Sequence, residues 1–220
     1  IVLAGDRNYT TQLETTIKSI LYHNRDVKIY ILNQDIMPDW FRKPRKIARM
    51  LGSEIIDVKL PEQAIFQDWT KQAHISSIAY ARYFIPDYIQ EDTVLYLDCD
   101  LLINEKLDSL FEQDLKEHYI AAIRDVNGQG FNTGVLLINN KKWRQEDLKE
   151  RLIEQSILTT KEVEEGRFDH FNGDQTIFNQ VLQDDWLELD RAYNLQVGHD
   201  IVALYNNWQE HLAFNDKPVV

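Results

Sequence analysis

Residues 93–103 read Thr93-Val94-Leu95-Tyr96-Leu97-Asp98-Cys99-Asp100-Leu101-Leu102-Ile103, the most apolar run of the chain, broken by two carboxylates. Such an apolar run reads as a strand that should be buried. On an extended chain, Asp98 and Asp100 leave on one side and Cys99 on the other. An unpaired carboxylate is costly in such surroundings, so two together imply a cation or a strand end open to solvent. Hard oxygen donors favour Mg²⁺ or Mn²⁺ over zinc. The plainer reading, in which the aspartates start a turn or cap a helix, is opposed by the apolar run resuming at Leu101–Ile103. Cys99 reads as a small packing residue rather than a nucleophile.

Outward from this run, apolar stretches alternate with segments of helical period. Residues 1–4 and 27–32 read as strands, with a helix over 11–22 between them that presents Leu13, Ile17, Ile20 and Leu21 on one face. A second helix begins at Pro38 and ends at Gly52, a residue suited to the position after a helix C-terminus. Residues 54–58 make a third strand. The pattern then predicts a helix over 74–89 that Pro86 kinks or ends. Beyond residue 103, residues 119–123 and 134–138 read as strands, 143–158 as a charged amphipathic helix, and 161–167 as a solvated loop. This rhythm predicts an α/β fold, Rossmann-like, with a mainly parallel sheet and helices on both faces. Ligands in such folds bind beyond the carboxyl ends of the strands.

The 220 residues predict a single domain over 1–220. With 44% hydrophobic and 27% charged residues, the chain has the composition of a globular protein. No apolar run reaches the ~20 residues that cross a bilayer, and no signal-like N-terminus is visible. One cysteine argues against a disulfide framework and fits a reducing compartment. The expected location is therefore cytoplasmic, with peripheral contact at the inner face of the membrane as a further expectation. A net charge of −12 argues against a nucleic-acid partner. It also means that a phosphorylated ligand would need a cation between it and the protein.

Four motifs, in order, decide between candidate families. The chain opens Ile1-Val2-Leu3-Ala4-Gly5-Asp6-Arg7-Asn8-Tyr9, carries SSIAYARYFIPDYI before LYLDCDLLI, and continues with FNTGVLLINNKKWR and NGDQTIFN. Together they resemble glycosyltransferase family 8, the retaining family of the lipopolysaccharide galactosyltransferases and glycogenin, over essentially the whole chain. Acid phosphatases of the haloacid dehalogenase type also carry a D-x-D. There it follows the first strand and precedes a Thr, whereas here it follows at least three strands and precedes two leucines.

The resemblance implies a GT-A type fold and a metal-dependent UDP-hexose glycosyltransferase, a hexosyltransferase moving galactose or glucose with retention to a glycan, glycolipid or glycoprotein. It implies that Asp98 and Asp100 hold Mn²⁺ or Mg²⁺, with Cys99 between them at the UDP-sugar donor. Ala4, Asp6, Asn8 and Tyr9 are implied as uridine contacts, and Arg82 as support for donor sugar and phosphate. Asp125 and the turn Asn132-Thr133-Gly134 are implied beside the donor sugar. Asp174 would touch sugar hydroxyls, Gln175 would lie near the anomeric carbon, and His74 matches an acceptor-side position. The family closes with a His-x-x-Gly-x-x-Lys-Pro-Trp segment that supplies a histidine ligand. Here the chain stops at Lys217-Pro218-Val219-Val220, short of it. A non-catalytic sugar-nucleotide binding protein is the alternative reading, disfavoured by the complete acidic set.

Overall fold

The computed structural model describes residues 1–61, 77–126, 129–168, 171–198 and 219–220. Seven strands form one sheet: β1 Val2–Ala4, β2 Lys28–Asn33, β3 Glu54–Lys59, β4 Thr93–Leu97, β5 Ile120–Arg124, β6 Phe131–Asn139 and β7 Leu187–Glu188. Their order is β3-β2-β1-β4-β6-β5-β7. The β1–β2, β2–β3, β1–β4 and β5–β7 pairs are parallel, and β6 runs antiparallel to both β4 and β5. The sheet is thus mostly parallel, as the alternating pattern predicts, with one reversed strand in its middle.

Both faces are covered. Val94 and Tyr96 point into one core with Tyr80, Tyr83, Trp143, Leu152 and Phe178, while Leu95 and Leu97 point into the other with Leu13, Ile17, Ile20 and Phe41. The first face is covered by a 3-10 segment, Ser77–Phe84, and by helices α3 Ile85–Tyr88, α5 Asn140–Gln145, α6 Leu148–Glu164 and α7 Gly173–Leu182. The second is covered by α1 Thr10–His23 and α2 Arg42–Met50, with a short α4 at Asp108–Phe111. Among the described residues no helix is long and apolar enough to cross a membrane.

Several expectations need correction. The strand predicted over 93–103 ends at Leu97. Its last sheet bond runs from the Asp98 N–H to the Gly134 carbonyl, 2.8 Å. Beyond it α1 captures the chain: Thr16 Oγ1 donates a shared bond to the Cys99 and Leu101 carbonyls, both at 2.8 Å, and Ser19 Oγ accepts from the Ile103 N–H. Asp98 and Asp100 therefore occupy the strand end and the turn after it. Leu102, read as strand interior, is exposed.

The helix predicted over 74–89 is, within the described residues, the tighter 3-10 segment followed by one α-turn. Pro86 lacks the N–H that the carbonyl of residue 82 would need in a continuous α-helix. His74 lies outside the described residues. The helix predicted over 143–158 is two helices, separated at Asp147, which takes a left-handed φ of 49°. The loop predicted over 161–167 is instead helical to Glu164 and closes at Gly166, φ 70°.

Candidate active site

The site lies where β4 ends and β6 begins, which are neighbours in space because β6 runs the other way. Tyr96 and Asp98 are two apart and share a face, and the Tyr96 hydroxyl donates to Asp98 Oδ1 at 2.9 Å. Arg82, 3% exposed, comes from the 3-10 segment and sits over the Tyr96 ring, its guanidinium carbon 4.2 Å from the centroid. One of its terminal nitrogens donates to Asp98 Oδ1 at 3.0 Å and the other to the Thr133 carbonyl. Its Nε donates to the Ala79 carbonyl at 3.0 Å and lies 3.0 Å from Asp174 Oδ2. Burial works against the Arg82 charge, but Asp174, then Tyr96 and Asp98, more than offset it, and its pKa moves up.

Asp98 thus spends Oδ1 on Tyr96 and Arg82. Its Oδ2 lies over Gly134, where a Cβ would come within 3.1 Å of it and 3.0 Å of Asn132 Oδ1. Glycine keeps that space open. Burial, with the charge of Asp98 added, raises the Asp100 pKa. Burial, then Asp100 and Asp98, push the Cys99 thiol up to about 12, which leaves it protonated and poorly nucleophilic at neutral pH.

Asp174 is the second carboxylate at the buried arginine. It stands in the first turn of α7 and is 6% exposed. Because the Arg82 Nε–H is aimed at Ala79, Asp174 Oδ2 takes no hydrogen bond among the described residues in spite of the short ion-pair distance. A buried carboxylate oxygen without a donor is costly, and a ligand hydroxyl would satisfy it. Burial raises the Asp174 pKa to about 6; Arg82 opposes this, Asp98 adds to it, and the N–H groups of Asp174 and Gln175 oppose it.

Such a carboxyl stabilises the fold most when protonated. Its contribution is full below the unfolded value of about 4 and is lost as pH rises through about 6. In the metal-free protein, the difference in unfolding free energy between wild type and Asp174→Asn is expected to move in the variant's favour by up to ~3 kcal/mol between pH 4 and pH 7. Urea titrations across that range check this, and a pH-independent difference would remove the shift.

Next to Asp174, the Gln175 amide is fixed at both ends. Its Oε1 accepts from the Thr133 N–H at 3.2 Å and its Nε2 donates to Asp125 Oδ2 at 3.1 Å. The backbone donor on one side and the carboxylate on the other define which end is oxygen. Asp125 Oδ1 accepts from the Val126 N–H, so both of its oxygens are engaged. Asn132 Oδ1 accepts from the Gly134 N–H and from Asn194 Nδ2, both at 2.8 Å. Asn179 clamps α7 to β6 by bonding both the N–H and the carbonyl of Phe131 at 2.9 Å. That approach needs Gly130, at φ 65°, since a Cβ there would lie 1.9 Å from Asn179 Oδ1.

Two adjoining cavities meet at these residues. One, about 250 Å³, runs from Ala4 and Tyr9 past Arg82 and residues 98–100 to Thr133, Asp174 and Gln175. The other, about 640 Å³, shares Asp98, Asp100, Asn172 and Gln175 and continues over Asp125, Asn132, Gly134, Asn194 and 195–198. Asp6 and Asn8 line neither cavity. Asp6 Oδ1 caps the short 3-10 turn Arg7–Tyr9 by accepting from the Asn8 N–H at 2.7 Å, and Asn8 is exposed at the rim. Sequence reasoning missed Tyr96, Asn172, Asn179 and Asn194. Tyr96 was open to discovery, because alternation alone puts it on the face of Asp98.

Among the described residues no three His, Cys, Asp or Glu side chains cluster as a metal site. Asp98 and Asp100 nevertheless suit a hard divalent cation, with one Asp98 oxygen held in place and the other uncommitted, and with the remaining coordination left to ligand oxygens.

A mostly parallel sheet in this order, with one reversed strand and a carboxylate pair beyond its central strand, is the GT-A glycosyltransferase fold. Residues 1–220 match the description of glycosyl transferase family 8, and the chain belongs to that family. It is 84% identical to glycosyltransferase GlyD of Streptococcus pneumoniae serotype 4, over 100% of this chain and 27% of that protein. To GlyE of the same organism it is 45% identical, over 92% of this chain and 49% of that protein. The crystal structure of GlyE superposes with a TM-score of 0.81 at 42% identity, over 99% of this chain and 52% of that one. The galactosyltransferase LgtC, solved in complex with donor and acceptor sugar analogues, superposes with a TM-score of 0.77 at 26% identity, covering 92% of this chain and 77% of that one. The chain thus spans between about a quarter and about half of the length of these curated relatives.

Proposed function

We propose that this chain carries the catalytic site of a retaining glycosyltransferase that moves a hexose, galactose or glucose, from a UDP-sugar to a glycan or glycoconjugate acceptor. The observation that supports this best is the split use of Asp98: one oxygen is tied to Arg82 and Tyr96 and the other faces the cleft that Asp174 and Gln175 border. Asp98 and Asp100 would hold Mn²⁺ or Mg²⁺, which when bound neutralises charge on the diphosphate leaving group.

In this reading the uridine lies toward Ala4 and Tyr9, with Tyr9 offering a stacking face. Asp6 and Asn8 contribute at the rim, Asp6 chiefly by shaping the turn that carries Tyr9. Arg82 keeps Asp98 and Asp174 apart and oriented. Asp174 Oδ2 accepts from a donor-sugar hydroxyl, and Asn132, Thr133 and Gly134 shape the floor beneath the sugar. The acceptor hydroxyl then attacks the anomeric carbon from the face that UDP leaves. The bond to the β-phosphate oxygen breaks, and that oxygen takes the acceptor's proton. Gln175, held by Asp125 and the Thr133 N–H, presents an amide too weak to be a good nucleophile and instead stabilises charge near the anomeric carbon. Accordingly, Gln175→Ala is expected to lower kcat by about 10²-fold while leaving a measurable residual rate. Full activity in single-turnover assays would remove Gln175 from the site.

Release of UDP from a panel of UDP-sugars, with and without Mn²⁺, tests the proposal. Metal-dependent release from one hexose names the donor. Binding of UDP with no release from any sugar, even with glycan acceptors present, would overturn the enzymatic reading.

A further inference from the structure

Charge is distributed very unevenly over this molecule. Residues 42–50, Arg-Lys-Pro-Arg-Lys-Ile-Ala-Arg-Met, carry five cations and no anion; removing their charge from the chain's −12 leaves −17 on the rest. They form α2, which buries Pro44 and Ala48 against the core. Arg42, Lys46 and Arg49, at i, i+4 and i+7, make one solvent-facing line ~10 Å long.

Local anions neutralise only part of this stripe. Arg42 pairs with Asp39 and Lys43 with Glu14, while Arg45 donates to the Ile55 carbonyl. Lys46 and Arg49 make no ion pair among the described residues. Two methionines bracket the stripe, Met37 at 71% and Met50 at 76% exposure. No residue of α2 lines either cavity of the candidate active site.

We propose that the exposed face of α2 docks reversibly on a bilayer bearing anionic headgroups. Arg42, Lys46 and Arg49 are spread along ~10 Å of exposed helix, and with Arg45 and Met50 they line a depression of about 520 Å³. Cations spread over that length suit a diffuse negative surface, and a compact polyphosphate is the competing occupant that the test separates. Met50, which lines the same depression as the cations, favours a bilayer over a soluble polyanion, because it gains by entering the headgroup region and nothing by remaining in water. The strongly acidic remainder is repelled from the same surface, so docking is weak and holds one orientation.

Flotation with vesicles tests this, using phosphatidylcholine alone and with about one-third phosphatidylglycerol. Wild-type protein is expected to float only with the anionic vesicles at ~50 mM salt and to be released at ~300 mM, as the screening length shortens. Arg42→Glu/Lys46→Glu/Arg49→Glu should lower the partition coefficient by roughly 100-fold or more. An unchanged thermal melt and unchanged UDP release in solution would show that variant's fold and cleft to be intact. Three results would overturn the inference: no flotation of wild type at low salt, equal flotation of the variant, or binding of soluble polyphosphate under conditions where anionic vesicles are not bound. Flotation does not depend on catalysis, so it can fail or succeed independently of the transferase reading.

Discussion

Replacing Asp98 and Asp100 together with alanine is expected to bring metal-dependent release of UDP from a UDP-hexose down by at least about 10³-fold, close to background. The two side chains stand at the end of β4, beyond the last ladder bond and before the chain is taken over by Thr16 of α1. Among the described residues no group of three metal-binding side chains is present that could hold the metal in their place. The fold should survive the change. Arg82 keeps Asp174, the Thr133 carbonyl and the Ala79 carbonyl as partners, so the loss of Asp98 costs on the order of 1–3 kcal/mol. Calorimetric titration with Mn²⁺, run beside the UDP assay, separates the two effects. A double variant that still binds the metal with wild-type affinity, or still releases UDP, would dismiss the carboxylate pair as its site.

Arg82→Ala is expected to be the most damaging single change to stability, lowering the unfolding free energy by ~3–5 kcal/mol. The guanidinium is almost wholly buried; it donates to three acceptors, Asp98 and two backbone carbonyls, and forms an ion pair with Asp174. Its removal leaves two carboxylates facing each other across an emptied space, with no cation between them. Arg82→Lys should recover little, because a compact ammonium on a flexible stem cannot span these directions at once. Urea unfolding with an unchanged m-value measures the loss. A penalty below 1 kcal/mol would show that the ion pairs with Asp98 and Asp174 balance nothing that folding needs.

Much of the architecture was legible in the chain. The alternation of apolar runs and helical periods yields the parallel half of the sheet, and the apolar run from Thr93 contains the strand that the structure places at its centre. What misled was the continuation through Leu101–Ile103: an apolar sequence cannot tell whether its carbonyls meet a neighbouring strand or the hydroxyl of a helix residue, and here Thr16 and Ser19 decide it. The reversal of β6 was within reach, because the short connection from Arg124 to Phe131 leaves no room for a crossover. The individual site residues became visible only through the motif order. The bond from Gln175 to Asp125 joins positions 50 apart in sequence, and no local pattern encodes it. Tyr96 was within reach through its alternation with Asp98, but an aromatic residue in a buried strand asks for no explanation beyond packing.

The burial of Arg82 between Asp98 and Asp174 also bears on how the chain comes into being. Asp98 follows the arginine closely, but Asp174 leaves the ribosome roughly 75 residues after Asp98, a delay of ~4–15 s at ordinary synthesis rates. For that interval the parallel half of the sheet has its strands but lacks the carboxylate that completes the arginine's surroundings, and α7 is not yet there to roof it. The nascent chain therefore sets Arg82 between its two carboxylates only at the end of translation of this region, and a polypeptide interrupted before residue 174 cannot hold that arrangement.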